Sequence, residues 1–221
     1  MAPGRLERAL LLASLRVQRI KPPGLDWAVV LNARLVARAW RREAVAAPAL
    51  DAVFEYRGRR LRLFRLGSEH ADALFAFFGE DVPAEEAAFV PHRMSRAWAR
   101  RIVGLPGLLA LGVMPADAPD DTHLLGYGLC RPTLSGRALI AQIVSPRARG
   151  LGLGNVILGG LVDVAKQAGQ LPYSIVYKSN ARSMSNLREV GFRFAELGAD
   201  TLVTWHPRDV SSIHTTRSSR A

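Results

Sequence analysis

The chain reads as a mixed α/β (α+β) protein: a mostly antiparallel central sheet flanked by helices on both faces, with an N-terminal helical extension. Three observations lead there. Alternating polar and apolar residues open the main body as a hairpin, Val53 to Tyr56 and Arg60 to Phe64 across a turn at Arg57-Gly58. Three further strand-like segments, Leu108 to Met114, Leu124 to Cys130 and Arg137 to Val144, are joined by turns rich in Pro, Asp, Ser and Gly, the pattern of an antiparallel meander. Helical and strand periods then alternate: a glycine-opened helix, a strand at Tyr173 to Tyr177, a helix at Arg182 to Val190, and a hairpin from Phe194 to Trp205.

Taken in order, residues 1–50 stand apart as an Arg-rich helical extension. Two amphipathic stretches, Leu6 to Ile20 and Leu25 to Val45, are split by Pro22-Pro23-Gly24. In the second, Trp27, Leu31, Leu35 and Ala39 fall on one face. The extension is read as packing on the main domain or on a neighbouring subunit, so a homodimer is open, with a basic segment on a membrane surface as the alternative. The main domain spans 51–207. Ser68 before the run Ala71 to Phe78 reads as a helix cap, and Pro83 to Val103 reads as a second helix opened by its proline. The acidic loop Gly79-Glu80-Asp81 lies between them. The polar tail, 208–221, is expected to be disordered.

Length and composition narrow the function. At 221 residues and 49% hydrophobic content there is enough chain for one well-buried domain. The net charge of +11 comes almost wholly from arginine, with lysine only at Lys21, Lys166 and Lys178. A positive field suits an anionic ligand; a nucleic-acid partner is not expected from arginine bias alone. Cys130 is the single cysteine, which excludes a disulfide framework and a cysteine zinc cluster and fits a reducing, cytoplasmic setting. No metal is expected. No apolar run approaches the roughly 18 residues that a membrane span needs, and no cleavage site follows the apolar run Ala9 to Ala13.

The feature that carries chemistry is Arg149-Gly150-Leu151-Gly152-Leu153-Gly154, following the apolar stretch Leu139 to Val144. A glycine-dense turn running into a helix leaves main-chain N–H groups outward at the positive end of the helix dipole, a cradle for a diphosphate. A dinucleotide-binding fingerprint is excluded because Ser145-Pro146-Arg147-Ala148 separates strand from glycines and the next strand ends in Lys178 rather than an acid. A P-loop is excluded because no Lys-Ser or Lys-Thr follows the last glycine.

The order Val144-x-Pro146-x-x-Arg149-Gly150-x-Gly152-Leu153-Gly154 resembles the acetyl-CoA loop of the GNAT superfamily of N-acetyltransferases. A second stretch, Asn180-Ala181-Arg182-Ser183 followed by Val190-Gly191-Phe192, resembles that family's second motif. The resemblance covers Leu61 to Trp205. It implies acetyl-CoA as co-substrate and an acetyltransferase acting on a small-molecule or peptide amine. It also implies site residues. The backbone of Ile143 and Val144 would pair with the pantetheine arm, residues Arg149, Gly150, Leu151, Gly152, Leu153, Gly154 and Asn155 would hold the diphosphate, and Asn180 and Ser183 would lie beside the arm. Asn180 serves equally well as a plain helix cap.

One departure from the family matters: the position of its usual tyrosine acid is Leu187. An alkyl thiolate with pKa near about 8.5 is a tolerable leaving group without a strong acid, and water, Ser183 or Tyr177 could supply the proton. An ammonium acceptor must also lose a proton before attack. Glu80, Asp81, Glu85 and His92 lie on the expected acceptor side, while Gln142 sits where some relatives place an acidic base. The alternatives to an acetyltransferase are a catalytically weak acyl-CoA-binding or regulatory module, and a basic adaptor for a membrane surface or nucleic acid.

Overall fold

The computed structural model describes residues 9, 11–13, 25–40, 51–81, 94–118 and 123–207. Among them, eight strands build one sheet in the order β1-β2-β3-β4-β5-β6-β8-β7. The strands are β1 (Asp51–Tyr56), β2 (Arg59–Arg65), β3 (Leu109–Pro115), β4 (Gly126–Pro132), β5 (Arg137–Val144), β6 (Leu171–Tyr177), β7 (Arg193–Glu196) and β8 (Thr201–Trp205). Every pairing is antiparallel except that of β5 with β6. The helices are α1 (Leu25–Trp40), α2 (Ala71–Ala76), α3 (Arg96–Gly104), α4 (Leu153–Gln167) and α5 (Ala181–Glu189). The mixed, mostly antiparallel sheet with helices on both faces is as the sequence predicts.

Two apolar layers sandwich the sheet. Ile157, Leu161 and Val162 of α4 and Leu187 and Val190 at α5 join Leu111, Val113 and Ile140 of the strands on one face. Phe77, Phe78, Trp98 and Val29, from the α2, α3 and α1 side, meet Phe64, Tyr127 and Ile143 on the other. The position of α4 is set by what β4 lacks. A Cβ at Gly128 would meet Ile157 Cγ2 at 2.4 Å, and one at Gly126 would meet Ile157 Cδ1 at 2.7 Å, so these two positions let the helix sit directly on the strand. The other end of α5 is tied down by His206, whose ring nitrogens lie 3.0 and 2.9 Å from the carbonyl oxygens of Val190 and Pro207.

The β1–β2 turn has an unusual occupant. Tyr56 pairs with Arg59 across Arg57 and Gly58, whose φ angles of 51° and 72° make the two-residue turn matched to strand twist. Arg57 is the single non-glycine residue at positive φ among the described residues. Left-handed backbone costs such a residue roughly 1–2 kcal/mol.

Several sequence expectations are corrected. The helix read from Pro83 to Val103 does not run unbroken: Ser95 is extended, with φ −131° and ψ 158°, and α3 starts only at Arg96. Its hydroxyl accepts from the Trp98 N–H at 3.3 Å, the local bond by which serine favours a helix start over a helix interior. Residues 82–93, with Glu85 and His92, lie outside the described residues. Ser68 does not cap the first helix; it lies in a 3-10 turn, Ser68–His70, where His70 Nδ1 accepts from the Gly67 N–H at 3.0 Å. After α2 the chain widens into a π-turn over Phe77–Asp81.

In α1 the packing face differs from the one containing Trp27, Leu31, Leu35 and Ala39. Leu31 and Leu35 remain 42% and 40% exposed, while Val29, Ala33 and Val36 are buried. The reason is a close approach: a Cβ at Gly107 would strike the Ala33 carbonyl oxygen at 2.3 Å. Asn32 Nδ2 donates to the Pro132 carbonyl at 3.0 Å on the same side. Apart from 9, 11–13 and 25–40, the extension lies outside the described residues, as does the tail 208–221. Among the described residues no helix is long and apolar enough to cross a membrane, and no cluster of His, Cys, Asp and Glu could hold a metal.

Candidate active site

A wedge opens where β5 and β6 part. Their parallel pairing runs only over Arg137↔Leu171, Ala138↔Pro172 and Leu139↔Tyr173. Beyond it β6 turns to β8, pairing from Tyr173 to Tyr177, while β5 stays on β4 as far as Val144. The register between β4 and β5 is unbroken, and the Ser145 N–H donates to the Leu125 carbonyl at 3.0 Å. Alternation along an antiparallel ladder therefore spends the peptide groups of Ile143 on Tyr127 of β4, which corrects the expectation that the Ile143 backbone pairs with the pantetheine arm. Those of Gln142 and Val144, past the end of the β5–β6 pairing, face the other way, into the wedge. The Leu171 N–H bonded to the Gly136 carbonyl at 2.9 Å marks the same even-numbered side.

Beyond β5, a 3-10 turn at Pro146–Ala148 leads into the glycine loop. Gly152 stands before α4 with φ 67°, and the helix start carries neither a side-chain cap nor an acidic residue in its first turn. The Asn155 and Val156 N–H groups both reach back to the Gly152 carbonyl at 3.0 and 3.4 Å. The five amides from Gly150 to Gly154 find no main-chain acceptor among the described residues. Five outward donors at an uncapped helix N-terminus concentrate positive potential.

Two cavities meet along this line. The larger, about 520 Å³, is the wedge, lined by Gln142, Ile143, Val144, Tyr177, Asn180 and Ser183 among others. The smaller, about 320 Å³, is bounded by Tyr56, Arg57, the glycine loop, Asn155 and Glu189. Val144, Arg149, Arg182 and Asn186 line both, so the two form one groove of the size that ligand sites occupy. Its floor has no room for larger residues. A Cβ on Gly152 would meet Tyr56 Oη at 2.3 Å, and one on Gly154 would meet Asn186 Nδ2 at 2.4 Å and Gln142 Nε2 at 3.1 Å.

A sequence model of the Acetyltransferase (GNAT) family matches residues 76–192. The chain belongs to the GNAT acetyltransferases. Solved structures agree on the fold. The GNAT domain of S. lividans PAT superposes with a TM-score of 0.60 at 17% identity, over 72% of this chain and 96% of that one. Ribosomal-protein-S5-alanine acetyltransferase from Vibrio fischeri gives 0.57 at 15%, over 72% and 98%. PaiA N-acetyltransferase from Thermoplasma acidophilum, solved in complex with coenzyme A, gives 0.50 at 15%, over 66% and 98%. No curated protein sequence matches this GNAT chain.

The side chains named from sequence divide clearly in this GNAT domain. Asn180 caps α5, its Oδ1 accepting from the Ser183 N–H at 3.0 Å, which leaves its Nδ2 as a donor on the groove wall. Ser183 and Tyr177 line the wedge. Leu151 and Leu153 pack on the apolar layer under α4, so in the loop their peptides rather than their side chains face outward. Arg149 lines both cavities; Arg147 lines neither. Glu80 and Asp81 fall in the π-turn after α2, with their side chains outside the described residues. Tyr127 and Cys130 are fully buried. Burial raises the Tyr127 phenol well above its usual range and pushes the Cys130 thiol up to about 12, which removes Cys130 as a nucleophile near neutral pH.

Sequence reasoning missed Gln142 as a groove acceptor, Asn186, and the place of the Tyr56-Arg57 turn on the groove wall. Gln142 Oε1 and Asn155 Oδ1 are buried with no hydrogen-bond partner, an arrangement that costs free energy unless a ligand donor supplies the bond. Leu187 is 2% exposed and belongs to the same apolar layer as Leu153 and Ile157. Leu187→Tyr should therefore lower stability by about 1–3 kcal/mol through overpacking, with no gain in turnover; thermal melts and steady-state rates check both.

Proposed function

We propose that the protein transfers an acetyl group from acetyl-CoA to an amine acceptor by direct attack within a ternary complex. The observation that supports this best is the row of five unengaged amides, Gly150 to Gly154, at the mouth of a wedge whose open edge is β5. The groove fits the carrier on three counts: donors for a diphosphate, an orphaned acceptor at Gln142 Oε1 for an amide N–H of the pantetheine arm, and glycines at 152 and 154, where a Cβ would strike Tyr56 and Asn186 on the groove floor. When bound, acetyl-CoA supplies the acetyl group as an activated thioester.

The residues of this chain hold and polarise it. Arg149 and the amides of Gly150, Leu151, Gly152, Leu153 and Gly154 grip the diphosphate, while Asn155, whose N–H returns to the Gly152 carbonyl and whose Nδ2 is bound to Glu189, closes the helix start rather than taking the phosphates. Gln142 and Val144 offer the arm their strand peptides, Ile143 lines the wall, and Asn180 Nδ2 and Ser183 flank it. The Val144 N–H is the donor placed for the thioester carbonyl, where charge develops on attack. Tyr177 delivers the proton to the departing thiolate, and Glu80 or Asp81 takes the proton from the acceptor ammonium. The acceptor is a small-molecule or peptide amine, in a cytoplasmic setting.

Isothermal titration with coenzyme A should give saturable binding, and thiol release over a panel of small amines and peptide N-termini should depend on the acceptor. Binding without release from any amine would leave an acyl-CoA-binding module, the reading that buried Leu187 favours. No binding would defeat both.

A further inference from the structure

Beside the amide row, the smaller cavity carries positive charge that a diphosphate does not need. Arg57 arrives from the β1–β2 turn, Arg149 from the glycine loop and Arg182 from the first turn of α5, three separate parts of the chain. Neither Arg57 nor Arg182 forms an ion pair among the described residues. The one carboxylate on the wall, Glu189, is already bound by Asn155 Nδ2 and by Ser185 Oγ, the latter at 3.1 Å.

The turn is tied to the loop. Tyr56 Oη occupies the space above Gly152 that a Cβ would need, and the Arg57 guanidinium lies 5.7 Å from the Tyr56 ring centroid, within cation–π range. Arg57 also holds the left-handed backbone position that Asn, Asp or Gly fills most readily in such a turn. A residue kept where its backbone is disfavoured points to a role for its side chain.

Resting on the acyl-CoA reading of the groove, we propose that Arg57, with Tyr56 as its platform, and Arg182 form a phosphomonoester subsite for the ribose phosphate of coenzyme A. The subsite is distinct from the amide row that takes the diphosphate. A guanidinium pair can engage a dianionic phosphate through several charge-assisted bonds, so this subsite separates carriers that bear the ribose phosphate from those that lack it.

The test compares coenzyme A with dephospho-coenzyme A by isothermal titration on the full chain. The wild type should prefer coenzyme A by about tenfold, the effect of one charge-assisted contact. In Arg57→Asn that preference should fall to about twofold or less through weaker coenzyme A binding. Its melting temperature should hold or rise, because Asn-Gly suits the turn. Arg182→Ala, on a different element, should lose the preference in the same way. Equal wild-type affinities, or a preference that survives in Arg57→Asn, would remove the subsite while leaving the acyl-CoA reading intact. Equal losses for both carriers in either variant would also remove it. A wild type that binds neither carrier overturns both.

Discussion

Gly152→Val is expected to raise the KM for acetyl-CoA by about 100-fold, the loss of roughly two charge-assisted amide–phosphate bonds. Two features of the position converge. Its backbone sits at φ 67° before α4, where a β-branched residue is strained, and a Cβ would lie 2.3 Å from Tyr56 Oη and 2.6 Å from Tyr56 Cζ. Either the Tyr56 ring moves or the loop does. If the loop moves, the amides on both sides of position 152 leave their common direction. The backbone strain also lowers stability by roughly 1–2 kcal/mol, so the kinetics belong below the variant's melting range. A folded variant with an unchanged KM would show that the loop does not carry the diphosphate.

Val144→Pro should lower kcat by about 100- to 1000-fold, the usual loss when one preorganised donor to a developing oxyanion is removed. The substitution is informative because of peptide direction. The Val144 N–H faces the wedge, so proline there removes no bond to β4, and proline is tolerated on strand edges that face away from a partner. Ile143→Pro makes the contrast. Its N–H belongs to the ladder with Tyr127, and deleting it leaves a buried carbonyl unpaired at a cost of about 1–3 kcal/mol. The expected pattern is lost turnover at position 144 and lost stability at position 143. The opposite pattern would mean that the β5 peptides point the other way.

The strand at Arg137 to Val144, the glycine turn and the Asn180 cap were legible because their signals are local. Alternation, glycine density and an Asx residue before a helix each act within a few residues. The start of α3 was not, because Ser95 interrupts an otherwise helical composition and its side-chain bond to Trp98 decides the boundary. In α1 the period was legible but the buried face was not: Ala33 packs because Gly107, 74 positions further along, brings backbone against it. The Tyr56-Arg57 turn was visible as a turn. Its meeting with Gly152 depends on the whole sheet order placing β1–β2 beside the start of α4, which no local pattern encodes. Gln142 was read for its position and set aside because it cannot take a proton. Its orphaned oxygen becomes apparent only once Gly154 and Asn186 are packed around it.

The row of amides at the start of α4 can be observed one residue at a time by nitrogen-15 NMR during titration with coenzyme A. The Gly150, Leu151, Gly152, Leu153 and Gly154 N–H resonances should all shift and exchange more slowly with solvent at saturation, as donors newly bonded to a diphosphate do. Saturable binding that leaves these five signals where they stand in the free protein would contradict the account.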